Sequence, residues 1–330
     1  MKVSVLQFFS WPDRSVPLAE IYRRALERIE VMDRTGYDTV WLAEHHFSTY
    51  SVCPSVHLMG MHVADRTTNL RIGMAVSLAG FYHPLRLAEE VALLDVLSGG
   101  RVSWGAGRGF DPTEHRVFGV EPADSYPRFR EHVETVHRAW TNDRLTYSGR
   151  FWNFDDVEVL PKPAQVPHPP IWLASTSPEA IEWSAERGYS IMLDPHASHS
   201  GIAEKRRQYE TLLVAAGHSP VGREMPMARL LAVAETRAEA YDVARRGAAW
   251  MVGSYIGQKS IQSALMTAAA PPPDLVQRYL DEVIVWGTPA SVRDDLVRLR
   301  EELPLDHLVC APLSNTTFSL FTDEVLPHLR

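Results

Sequence analysis

Short apolar runs rich in β-branched residues alternate with amphipathic segments from one end of this chain to the other. That alternation restricts it to an α/β architecture built on a parallel sheet. Eight runs have strand character: 3–8 (VSVLQF), 38–42 (DTVWL), 70–77 (LRIGMAVS), 101–105 (RVSWG), 171–175 (IWLAS), 189–193 (YSIML), 229–234 (RLLAVA) and 306–311 (DHLVCA). Most lack period-two alternation, as expected of parallel strands covered on their outer face. Between the first two, Leu18, Ile21, Tyr22, Ala25, Ile29 and Met32 fall on one helical face; Pro17 suits the first turn and Gly36 the end. Likewise Leu87, Val91 and Leu94 follow Pro84 and precede Ser98-Gly99-Gly100. Eight β-to-α alternations favour a (β/α)₈ TIM-type barrel with insertions, one domain spanning 1–330, over an open doubly wound sheet. Two stretches exceed ordinary connection lengths. Residues 142–168, with Gly149 and Phe151-Trp152-Asn153-Phe154, predict a small hairpin excursion; 253–280, with Pro271-Pro272-Pro273, predict a long loop or lid.

Composition narrows the function. Hydrophobic residues at 45% and charged residues at 22% fit a globular enzyme. The 33 basic and 41 acidic residues give a net charge of −8 with both signs scattered, so no basic surface points to nucleic acid. No apolar run approaches the roughly 18 residues of a membrane span, and the amino terminus has no leader pattern, which predicts a cytoplasmic protein with no membrane partner. Cys53 and Cys310 cannot build a disulfide framework and neither lies in a CxxC. There is no Walker A sequence, GxSxG elbow, HExxH or zinc-ribbon spacing.

In a TIM-type barrel the active site lies at the carboxyl ends of the strands. After the second strand comes Glu44-His45-His46-Phe47, after the third Gly80-Phe81-Tyr82-His83, after the fourth Ala106-Gly107-Arg108-Gly109-Phe110, and after the fifth Ser175-Thr176-Ser177-Pro178. Adjacent side chains on an extended segment point to opposite sides, so His45 and His46 are poorly placed to chelate one metal ion, and none is expected. An imidazole suited to proton transfer and a packing or surface residue remain as readings of the pair. Gly105-Ala106-Gly107-Arg108-Gly109 fails the GxGxxG spacing because residue 110 is Phe, and the next clear helical pattern begins near Ser125. It reads either as a glycine-lined surface for a flat ligand, with Arg108 offered to an anion, or as a tight turn. Ser175-Thr176-Ser177 joins a strand to a helix starting near Pro178, either an anion site at a helix start or ordinary capping. Trp11, Phe81, Tyr82, Phe110 and His196 are candidates for an apolar pocket or for core packing.

Several segments together resemble the bacterial luciferase-like flavin-dependent monooxygenases. They are 38–47 (DTVWLAEHHF), Ala88-Glu89-Glu90-Val91 through Leu94-Asp95-Val96-Leu97-Ser98-Gly99-Gly100-Arg101, Gly107-Arg108-Gly109 and Arg116-Val117-Phe118-Gly119, then Ala174-Ser175-Thr176-Ser177, 182–188 (EWSAERG) and Gly287-Thr288-Pro289. The likeness runs in order over nearly the whole chain. It implies a barrel binding reduced FMN at the carboxyl strand ends and reacting with O2 through a flavin C4a-hydroperoxide to oxygenate a small organic substrate. By motif, His45 is the imidazole near flavin and substrate, Arg108 and the Ala174–Ser177 turn serve the flavin phosphate, and Ala75-Val76 is a non-prolyl cis peptide beneath the flavin ring. Where luciferase α subunits carry a reactive cysteine beside the arginine, this chain has Gly107, which argues against bioluminescence. The resemblance also implies a separate NAD(P)H:flavin reductase and a homo-oligomer, a dimer. Two alternatives stay open: a deazaflavin-dependent oxidoreductase on the same fold, and a non-catalytic flavin-binding member.

Overall fold

The computed structural model describes residues 1–193, 195–256, 274–303 and 306–329. In chain order the strands are β1 (Lys2–Gln7), β2 (Thr39–Leu42), β3 (Arg71–Met74), β4 (Ser77–Leu78), β5 (Val102–Gly107), β6 (Leu145–Ser148), β7 (Asn153–Val157), β8 (Ile171–Ala174), β9 (Ser190–Met192), β10 (Met227–Val233), β11 (Ile284–Gly287) and β12 (His307–Pro312). Every run expected to be a strand forms one. The run 70–77 divides into β3 and β4 around the Ala75–Val76 peptide, which is cis, as the resemblance implied.

Contacts group the chain into two compact units, one of residues 1–7, 37–39 and 175–330, the other of 8–36 and 40–174. In the first, β11, β10, β12 and β1 lie side by side in parallel, with Val5 opposite Cys310 and Leu230 between Ile284 and Ala311. Leu193, just after β9, bridges in parallel to Met227 at the start of β10. In the second, β2, β3, β5 and β8 are neighbours, and β4 pairs with the end of β5. Every residue of β2 and β5 is buried, which is why these segments lack period-two alternation.

Local chemistry sets the helix boundaries. Helix Leu18–Thr35 stops at Gly36, whose φ of 76° is open to glycine and costly for a side chain. Ser55 caps Val56–Arg66 by accepting from the Leu58 N–H, and Pro84 opens Pro84–Leu97 at a position that needs no N–H donor. The excursion at 142–168 contains the antiparallel β6–β7 hairpin. It is anchored by Glu131, whose carboxylate accepts from the backbone N–H groups of Arg150, Phe151 and Trp152. A Cβ on Gly149 would lie 2.2 Å from that carboxylate, so glycine is required there.

Two residues of the family-like segment 88–101 serve the scaffold. Buried Asp95 accepts from the Val102 N–H and from both the backbone and side chain of Gln165. Arg101 donates to the carbonyls of Ala64, Thr67, Leu70 and Ser98, tying the end of one helix to the start of the next strand. Of the expected 253–280 loop, helix Leu275–Glu282 occupies the end, and 257–273 lie outside the described residues. No described helix is long and apolar enough to cross a membrane.

Candidate active site

β2 ends at Leu42, and the chain continues through Ala43 and Glu44 to His45, whose N–H bonds to the Cys53 carbonyl at 3.3 Å, folding 45–53 back on itself. The Glu44 carboxyl is sealed from solvent. It accepts from the Tyr82 hydroxyl at 3.0 Å and the Leu78 N–H at 3.3 Å, and His46 Nε2 lies 3.1 Å away. Burial first, and Glu44 second, push the Tyr82 phenol well above its ordinary range. Cys53 is pushed up to about 12, again mainly by burial, so its thiol stays protonated at neutral pH; burial also raises Cys310 well above the ordinary thiol range.

The two histidines take different partners, as alternation on an extended segment predicts. His46 sits edge-on to Phe118 at 4.8 Å. His45 sits edge-on to Tyr50 at 4.9 Å and to Phe110 at 5.8 Å, and its Nδ1 is 3.9 Å from Glu114 Oε1. Glu114 is 1% exposed; Oε1 accepts the His46 backbone N–H at 2.9 Å, while Oε2 is buried with no hydrogen-bond partner. Burial is the chief reason its carboxyl is raised to about 7.

Glu114 was missed in the sequence because the next helix was expected near Ser125. A helix in fact spans Pro112–Val117, three residues beyond Gly109, with Asp111 accepting from the Thr113 N–H as its N-cap. Six residues are too few to show helical periodicity. The legible signal was Asp111-Pro112, a capping residue followed by proline in the first turn.

On the neighbouring strand ends, a Cβ at Gly107 would fall 2.3 Å from Val76, so β5 passes the Ala75–Val76 segment at a distance only glycine allows. Arg108 is exposed and donates to Ser125 Oγ at 2.9 Å. Gly109, at φ 80°, packs its backbone against Phe81. A cavity of about 470 Å³ is lined by Glu44, His46, His57, Tyr82, Glu90 and Phe118 among others. Phe81 and Tyr82 do line a pocket; Trp11 and Phe110 do not line this one, and neither does His45. His57 bridges Ser77 Oγ at 2.9 Å and Glu90 at 3.2 Å. Among the described residues no group of His, Cys, Asp and Glu is arranged to hold a metal ion.

Ser175–Ser177 belong to the other unit, as does His196, which bonds the Tyr279 hydroxyl at 2.9 Å. Ser177 caps helix Pro178–Glu186 through the Ala180 N–H; buried Ser175 is tied to Ser184 Oγ at 2.8 Å; Ala174 and Thr176 are exposed. One hydroxyl of the three is therefore spent on capping and one on packing.

The family described as luciferase-like monooxygenase matches residues 1–307. A relative from Acinetobacter baylyi, the oxygenase component of a flavin-dependent trigonelline monooxygenase, is 31% identical over 178 residues, 53% of this chain and 49% of that protein. The oxygenating constituent of 3,6-diketocamphane monooxygenase from Pseudomonas putida, solved with FMN, shares the fold with a TM-score of 0.84 at 18% identity, covering 99% of this chain and 98% of its own. An F420-dependent secondary alcohol dehydrogenase superposes with a TM-score of 0.79 at 18% identity, over 100% of this chain and 99% of its own. With a family match over nearly its whole length, on the barrel-type parallel α/β fold of its neighbours, this chain belongs to the luciferase-like flavin-dependent monooxygenases.

Proposed function

We propose that this chain is the oxygenase component of a two-component cytoplasmic system. A separate NAD(P)H:flavin reductase delivers reduced FMN, and one atom of O2 goes to a small organic substrate. The carrying observation is the placement of His45 just beyond β2, between aromatic rings and 3.9 Å from a buried acid, within a chain that matches the family over 1–307. The component structure of the trigonelline relative supports a separate reductase. Exposed Leu58, Leu93 and Leu97 on two helices support a homodimer, and the continuous family match over 1–307 supports reading the chain as one barrel domain.

The residues present fit a flavin. Gly107 offers bare backbone beside Val76, and Arg108 is an exposed cation. When bound, reduced FMN supplies the electrons that activate oxygen. In this reading Ala75, Val76 and Gly107 support the ring, while Arg108 pairs with phosphate. Ala174, Thr176 and Ser177 are assigned to the phosphate through backbone N–H groups and the Thr176 hydroxyl at a helix start. Ser175, whose N–H is bound to the Met192 carbonyl and whose hydroxyl to Ser184, is assigned to shaping that turn, and His45 moves a proton at its imidazole. A cysteine at position 107 would strike Val76, so this chain has no thiol there and is assigned a substrate other than a long-chain aldehyde.

The test is anaerobic titration with reduced FMN followed by admission of oxygen in a stopped-flow cell. A transient flavin absorbance preceding the oxidised spectrum is the expected result. Tight binding of a deazaflavin, with no oxygen reaction of bound FMN, would instead select the hydride-transfer reading that the dehydrogenase fold keeps open. In the same titration Arg108→Ala should weaken reduced FMN by about tenfold to a hundredfold, the scale of one charge-assisted hydrogen bond. Riboflavin binding should barely change, and equal loss for both ligands would remove Arg108 from the phosphate site.

A further inference from the structure

Glu114 is a buried acid whose surroundings do not account for it. Its Oε1 receives the His46 backbone N–H, a role a glutamine would fill without bringing an ionisable group into the interior. Its Oε2 is equally buried and has no hydrogen-bond partner, an arrangement that is costly unless the group has another use. Besides the His46 N–H on Oε1, the carboxyl has the His45 imidazole beside it, with Nδ1 at 3.9 Å. That separation is about 1 Å beyond a hydrogen bond, within reach of a small rotation of the imidazole.

We propose that Glu114 is the positioning residue of His45: its carboxyl orients the ring from the Nδ1 side and trades one proton with it, leaving Nε2 to serve the reacting group. The inference rests on the reading that His45 moves a proton during oxygen transfer. The exchange balances without any other reactant. A protonated Glu114 beside a neutral imidazole becomes a carboxylate beside an imidazolium, and the pair stays neutral throughout. A buried site tolerates that exchange far better than it tolerates a lone charge. The other ionisable groups facing Glu114 are Asp111 on its own helix, and Glu44 and His46 beyond β2; the two acids oppose its ionisation and His46 favours it. The carboxyl, raised to about 7 chiefly by burial, therefore gives and takes a proton in the range where an imidazole does.

The experiment uses the ligand-free protein and needs no substrate. Histidines are labelled with 13C and 15N, His45 is assigned by its absence in H45Q, and its ring signals are followed against pH in wild type, E114Q and E114D. The expected result is a His45 midpoint lower by about one pH unit in E114Q, the scale of losing one nearby opposite charge. E114D should recover most of that shift, and His57 and His218 should stay unmoved in all three. An unchanged His45 midpoint in folded E114Q overturns the pairing. If E114Q does not fold, 13C-labelled glutamate carboxyls in wild type decide: steps shared by Glu114 and His45 support the pairing, and a Glu114 midpoint in the ordinary carboxylate range overturns it. A separate arm reads the lifetime of the transient flavin absorbance after oxygen mixing in His45→Ala. A wild-type lifetime there overturns the catalytic reading of His45, whereas a changed lifetime with an unmoved His45 midpoint in E114Q overturns only the role given to Glu114.

Discussion

His45→Ala is expected to lower turnover by about 10²–10⁴, the range that a positioned acid or base contributes. The ring follows β2, is held edge-on by Tyr50 and Phe110, and has a buried carboxyl on its Nδ1 side. Loss of the imidazole removes proton transfer without touching Arg108 or the Ser175–Ser177 turn, so reduced FMN affinity should change far less than turnover. His46→Ala is the internal control. Its ring braces Glu44 and Phe118 and lines the 470 Å³ cavity, so its loss should mainly reduce stability. Until the substrate is identified, the lifetime of the transient flavin absorbance after mixing with oxygen is the measurement. If His45→Ala matches wild type and His46→Ala does not, the proton-transfer assignment moves one residue along the chain.

The fold was legible because its strands are buried along their length. β2 and β5 present no exposed face, so neither shows period-two alternation in the sequence, and the helices Leu18–Thr35 and Pro84–Leu97 carry Pro17, Gly36 and Pro84 at the expected ends. What stayed hidden was short. β11 is four residues, Ile284–Gly287, next to a stretch read as loop, and four residues show no period. The six-residue helix bearing Glu114 hid for the same reason, and its acid became meaningful only once folding set it against the Glu44–His46 segment from 68 residues away. Resemblance supplied His45 and the cis Ala75–Val76 peptide, yet motif membership did not separate chemistry from scaffold. Asp95 and Arg101 lie in a family-like segment and spend their hydrogen bonds on backbone, on Gln165 and on the Thr67 hydroxyl. Ser175, read as a phosphate contact, has its hydroxyl bound to Ser184. Burial and partner geometry made those distinctions, and one sequence carries neither.

The largest effect on stability is expected where β2 meets β3. Trp41 is 1% exposed and meets Trp172 of β8 edge-on at 5.8 Å; on its other side a Cβ built on Gly73 would fall 2.2 Å from the indole. The ring thus lies directly on the β3 backbone, and β3 cannot withdraw, because Ile72 and Gly73 are in register with Val102 and Ser103 of β5. Trp41→Ala should cost about 3–5 kcal/mol, as removal of a large buried aromatic does. That is a large share of a typical domain's stability of about 5–15 kcal/mol. Gly73→Ala should cost about 1–3 kcal/mol by overpacking against the indole. In the double variant the added methyl enters space the indole has vacated, so its penalty should vanish. A double-mutant cycle by urea unfolding should therefore show a coupling of about 1–3 kcal/mol. Simple additivity would mean that something other than the indole fixes glycine at 73. Strong coupling would mean that Trp41 and Gly73 together set how β2 lies on β3, three residues before Glu44 begins the turn that presents His45.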